Sequence, residues 1–80
     1  MYLHIGKNYM IQEKDIICLL NIDSLPSQVY QQLKEQYQDC LIDLSSENPR
    51  AFIITKKKEK IEVYISNILP TTIAGRVKED

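Results

Sequence analysis

The sequence predicts an α+β fold: a small antiparallel or mixed sheet of short strands, one long amphipathic helix and a short C-terminal helix. Short apolar runs recur between turn-forming residues, as strands do. Between Ser24 and Gln38 the apolar residues instead recur every fourth position, the repeat of a helix with one buried face. A proline-led segment from Leu69 to Val77 repeats that spacing near the end.

Taken in order, Tyr2, Leu3, His4 and Ile5 read as a short strand, stopped by Gly6-Lys7-Asn8, and Tyr9 to Ile11 as its return. After the polar break Gln12-Glu13-Lys14-Asp15, the run from Ile16 to Ile22 is apolar on both faces until Asn21. That predicts a central strand buried on two sides. Ser24-Leu25-Pro26-Ser27 predicts a helix start, with serine capping free amides and proline tolerated in the first turn. The helix is expected through about Gln38, with Val29, Leu33 and Tyr37 on one face, Tyr30 beside them and glutamines on the other.

Cys40 to Leu44 returns to a strand pattern, and Ser45 to Pro49 is a loop by composition. Ala51 to Thr55 is expected as a strand. Ile61, Val63 and Ile65 alternate with Glu62, Tyr64 and Ser66, which predicts a half-exposed strand paired antiparallel to it across the tip Lys56 to Lys60. Leu69, Ile73 and Val77 share one face of the last helix, where Gly75 weakens the final turn by about 1 kcal/mol relative to alanine.

Eighty residues suffice for one domain, so residues 1–80 are expected to form a single unit. A chain this small buries only roughly 60–65% of the surface its unfolded form exposes, which favours self-association. The 44% hydrophobic and 26% charged composition is that of a folding chain. Its longest apolar run, Ile16 to Leu20, is far shorter than the roughly 18 residues of a membrane span. Met1 to Met10 interleaves His4, Lys7 and Asn8 with apolar residues, unlike a secretory leader, so a cytoplasmic location is expected.

The chemistry-bearing residues are sparse. Cys18, Cys40 and the single histidine, His4, are far apart in sequence and lack metal-ligand spacing. Cys18 sits in an apolar strand, where packing of a reduced thiol explains it better than ligation or nucleophilic attack. Gly6 and Gly75 belong to no phosphate-binding loop, and Asp15, Asp23, Asp39 and Asp43 are scattered. No enzyme, cofactor or small-molecule substrate is therefore expected; convergence of His4 with a cysteine is the one enzymatic alternative.

Binding is the better expectation. The net charge of −1 and pI near 5.8 exclude a globally basic nucleic-acid binder, so any phosphate site must be local. The densest positive patch is Lys56, Lys57 and Lys58 with Lys60, which also suits a soluble hairpin tip. Arg50 and Arg76 are the only arginines, each able to hold a phosphate or a carboxylate bidentately. Five tyrosines offer stacking surfaces, although Tyr30 and Tyr37 fall on the helix face expected to be buried.

Several segments together resemble the small bacterial extracellular-matrix regulators RemA and RemB, closest to the RemB branch. These are Met1-Tyr2-Leu3-His4-Ile5-Gly6, Lys14-Asp15-Ile16, Leu41-Ile42-Asp43, Arg50-Ala51-Phe52-Ile53-Ile54, and Leu69-Pro70-Thr71-Thr72-Ile73-Ala74-Gly75-Arg76-Val77. The resemblance implies a transcriptional regulator of biofilm-matrix genes that binds double-stranded DNA as a homo-oligomeric ring. It places phosphate contacts at Lys14, Arg50 and Arg76, to which composition adds Lys56, Lys57 and Lys58. Glu47 and Asn48 stand where the DNA-binding branch carries an arginine pair, and Lys14 with Asp15 stands where it has an arginine. The alternative is a related assembly subunit that binds protein and no DNA.

Overall fold

The structure is a computed structural model describing residues 1–77; the side chain of Val77, expected to share a face of the last helix with Leu69 and Ile73, lies outside the described part. Strands β1 (Tyr2–Gly6) and β2 (Tyr9–Gln12) form an antiparallel hairpin. Alternation sends Leu3, Ile5 and Ile11 inward and leaves Tyr2, His4 and Met10 outward. The turn depends on Gly6, whose φ of +134° is open to glycine and strained for other residues.

Chain order then gives β3 (Ile16–Asn21), helix α1 (Ser27–Gln36), β4 (Leu41–Asp43), β5 (Ala51–Lys57), β6 (Lys60–Ser66) and helix α2 (Pro70–Val77). The second sheet has the order β3-β5-β6-β4, with β4 parallel to β6 and the other pairs antiparallel. It follows that β3 and β4, at opposite edges, run the same way. Such a connection needs a crossover, and α1 supplies it along one face. At about 1.5 Å per residue, its 10 residues reach roughly the length of a five-residue strand.

The sheet is covered on both sides. Phe52, Ile54, Val63 and Ile65 face α1, meeting Tyr30, Leu33 and Tyr37. Ala51, Ile53 and Tyr64 face the hairpin and α2, meeting Leu3, Ile5, Ile11, Leu44 and Ile73. This is the expected α+β architecture with a mixed sheet, built in three layers around the two middle strands.

Four expectations are corrected. The apolar run from Ile16 is an edge strand, not a central one. A bulge between Ile16 and Cys18 resets the alternation, so Ile16 and Leu19 share one face, Cys18 and Leu20 the other, and Ile17 is 59% exposed. The strand β6 is not half-exposed, because the hairpin covers its second face and buries Tyr64 and Ser66. Ser66 is satisfied there by donating its hydroxyl to the Ile5 carbonyl and accepting from the Ile68 amide.

Ser24 does not cap the main helix. It ends a 3-10 turn, Ile22–Ser24, in which Asn21 Oδ1 accepts from the Asp23 amide, and α1 starts after Pro26 without a side-chain cap. That helix is also shorter than expected, ending at Gln36. A 3-10 turn, Gln38–Cys40, takes the chain down to β4 instead.

Candidate nucleic-acid interface

Because β3 and β6 are antiparallel to β5, the sheet has two chemically distinct ends. At one, β5 finishes and turns into β6 across Lys58 and Glu59, with Lys57 paired to Lys60. Lys58 has a φ of 58° and is the only residue of this turn with positive φ, the sign pattern of a type II′ hairpin turn. Lys56 and Lys57 precede it on opposite faces of the strand, so the three side chains fan out from the tip.

Lys14 comes to the same end. It lies in the 3-10 turn Glu13–Asp15 directly before Ile16, and Ile16 pairs with Thr55. Sequence distance hid this neighbourhood; only the register of β3 on β5 shows it. Lys60 joins the group too, with its Nζ 3.9 Å from Glu62 Oε2. Among the described residues, Lys14, Lys56, Lys57 and Lys58 have no carboxylate within 4.0 Å.

Arg50 stands at the opposite end, just before the first residue of β5. With about 3.3 Å per residue, the seven-residue strand separates it from the tip by roughly 23 Å. Its backbone bonds both neighbouring segments, donating to the Ser66 carbonyl and accepting from the Ile22 amide. Its Nε donates to Asp23 Oδ2 at 2.9 Å. Asp43 and Glu47 lie at this end as well, Asp43 accepting from the amide and hydroxyl of Ser45.

Arg76 occupies a third place. From α2 its Nη1 donates to the His4 carbonyl at 2.6 Å, fastening the helix to the hairpin. The six basic residues expected to bind nucleic acid are thus not one surface. Lys14, Lys56, Lys57 and Lys58 are brought together, whereas Arg50 and Arg76 are each held elsewhere by an intramolecular acceptor.

Counting charges separates the ends. The lysine end carries Lys14, Lys56, Lys57, Lys58 and Lys60 against Glu13, Asp15, Glu59, Glu62 and, just before β4 and level with the start of β6, Asp39, an even balance. The arginine end carries Arg50 and, in the hairpin turn beside Leu44 and Asn67, Lys7 against Asp23, Asp43 and Glu47, an excess of one negative charge. Attraction to a polyanion therefore favours the lysine end.

Two tyrosines are held as neutral hydroxyls. Burial, and then the nearby Glu62 carboxylate, raises the pKa of Tyr64 above its ordinary value of 10.0. Burial and Asp43 do the same for Tyr30, whose ring packs edge-on to Phe52 at 6.4 Å. Tyr30 and Tyr37 are accordingly core-packing residues, as expected, and leave Tyr2 and Tyr9 as the more exposed aromatic surfaces.

Cys18 and Cys40 are both free thiols. They belong to opposite edges of the sheet, with two strands between them. At about 4.8 Å per strand spacing they stand roughly 14 Å apart, too far for a disulfide within one chain. Both pack on the α1 side of the sheet, while His4 is on the outer face of the hairpin layer, so a His4–cysteine pair is not assembled.

Residues 2–77 match the model of a protein family described as RemA-like, extracellular matrix regulatory protein A-like. No curated protein matches the chain.

Proposed function

The chain belongs to the RemA-like family of extracellular matrix regulatory proteins, and from that premise we propose that it is a cytoplasmic, homo-oligomeric regulator of matrix genes that contacts duplex DNA through the lysine-bearing end of its sheet. One observation carries this reading: Lys56, Lys57 and Lys58 fan out from a tight turn beside Lys14, and none of them has a carboxylate within 4.0 Å among the described residues. Lysine binds phosphate as a point charge without demanding a base sequence.

A single such patch, with its lysines balanced by nearby carboxylates, binds weakly. Repetition around a ring changes that, because each later contact forms at high effective concentration. Oligomerisation is thus part of the proposal. The test is fluorescence anisotropy of a labelled duplex at about 50 mM salt and again at about 200 mM. Measurable binding that falls steeply between the two supports the reading; no binding at the lower salt removes it.

A second reading has its own observation. Met1, Tyr2, Tyr9 and Met10 are 54%, 61%, 41% and 56% exposed on the hairpin, an apolar surface suited to a protein partner. Co-purification of a partner protein, with duplex not retained, would favour an assembly subunit over a DNA binder.

A further inference from the structure

The strand edges of this molecule are short or occupied, with one exception. Strand β4 has three residues and ends on Asp43, β2 has four, and Arg76 takes up the His4 carbonyl of β1. Strand β3, the other edge of the larger sheet, has six residues, Ile16 to Asn21, with no charge and no proline among them. The usual guards against pairing with another chain are missing there.

The free groups of this edge follow from the ladder. The Ile22 amide donates to the Arg50 carbonyl at 3.0 Å, so in the same register Leu20 with Phe52 and Cys18 with Ile54 are the hydrogen-bonded pairs. Leu19 and Asn21 therefore turn their N–H and C=O groups outward, where no other described residue bonds them. The bulge at Ile17 interrupts only the start of the strand; Cys18 to Asn21 run in unbroken register.

The side chains are equally open. No residue of β3 is buried, although five of the six are apolar, and Ile17 stands out to solvent. Four strands span roughly 14 Å between their outer axes, more than one helix about 10–12 Å wide covers, so Cys18 and Leu20 stay half-buried beside α1.

We propose that β3 pairs antiparallel with β3 of a second copy about a two-fold axis, joining the two four-stranded sheets into one. Composition selects this occupant. Whether the axis passes Cys18 or Leu19, the strand residues brought face to face are uncharged, and cross-strand neighbours share a face. Cys18 and Leu20 then meet their counterparts on the α1 side, Ile16 and Leu19 theirs on the hairpin side, and the outward amides and carbonyls gain partners. The pairing is one contact of the homo-oligomer proposed above and rests on that reading. Being isologous it joins two subunits and closes, so a ring uses a second surface as well. Antiparallel partners point their lysine ends opposite ways, which gives the pair one lysine end at each extremity.

The experiment follows amide hydrogen exchange and sedimentation of the intact protein without DNA, beside Ile17→Lys, which puts a charge on the edge at a solvent-facing position. In the assembled protein the Leu19 and Asn21 amides should exchange slowly; in the variant they should exchange at least about tenfold faster, with self-association weakened at least about tenfold. An oligomer in which both amides exchange freely would overturn the pairing and leave the homo-oligomer standing. Slow exchange in a chain that sediments as a monomer would also overturn it, because the edge would then be covered from within. A variant that assembles as tightly, with both amides still protected, counts against it in the same way. Protection of both amides in an oligomer that binds no duplex would uphold the pairing and remove the DNA surface instead.

Discussion

Tyr64 joins the core to the lysine end. Its ring packs under the hairpin, 6.0 Å from the ring of Tyr9, and its hydroxyl donates to Glu62 Oε1 at 3.5 Å. Burial and the Glu62 charge raise its folded-state pKa above 10.0, while the unfolded chain titrates near that value. Above pH 10 the unfolded state therefore loses protons first, which draws the equilibrium toward unfolding. This contribution to stability is whole below pH 10 and is lost as pH rises through the folded-state pKa. Urea unfolding between about pH 9 and pH 11 should show stability falling with pH, and Tyr64→Phe should flatten the fall. An unchanged slope in the variant would contradict the assignment. Alternation alone placed Tyr64 with Glu62 and Ser66 on a wet face; it could not reveal that a hairpin forty residues or more upstream returns to cover that face.

Individual elements were legible where local chemistry decides them. Gly6 with Asn8 marks the first hairpin, and the fourfold spacing of Val29, Leu33 and Tyr37 marks α1. The position of β3 in the sheet was not legible, because its apolar run looks the same in a central strand as in an edge strand bent by a bulge. Only the pairing shows Ile17 displaced outward. At the other end of the chain, α2 is fixed by fully buried Ile73 and by Arg76 on the His4 carbonyl, and Gly75 is its weak point. A Cβ added at Gly75 meets nothing within 4 Å. Gly75→Ala should therefore stabilise the protein by about 0.5–1 kcal/mol, raising Tm by about 2–8 °C in a thermal melt. A lower Tm would mean that the exposed side of α2 is less open than it is here.

Over the whole molecule, the core and the charges divide the work. The two middle strands, sealed on both faces, make a rigid bar with a lysine end and an end of net negative charge. The lysine cluster at 56–58 stood out in composition, but Lys14 reaches it only through the register of β3 on β5. Arg50 looked equivalent in sequence and is not, because Asp23 holds it roughly 23 Å away. Assembly would repeat this polarity in every subunit, so DNA should be met at one end of the bar. The most direct test is the salt dependence of duplex affinity for the unsubstituted protein, the triple variant Lys56→Gln, Lys57→Gln, Lys58→Gln, and Arg50→Gln. The triple variant should bind at least about tenfold more weakly at low salt, with a log–log salt slope shallower by about one for each phosphate no longer neutralised, while Arg50→Gln changes affinity by less than about twofold. Loss of binding in Arg50→Gln with the triple variant unaffected would place the DNA surface at the opposite end.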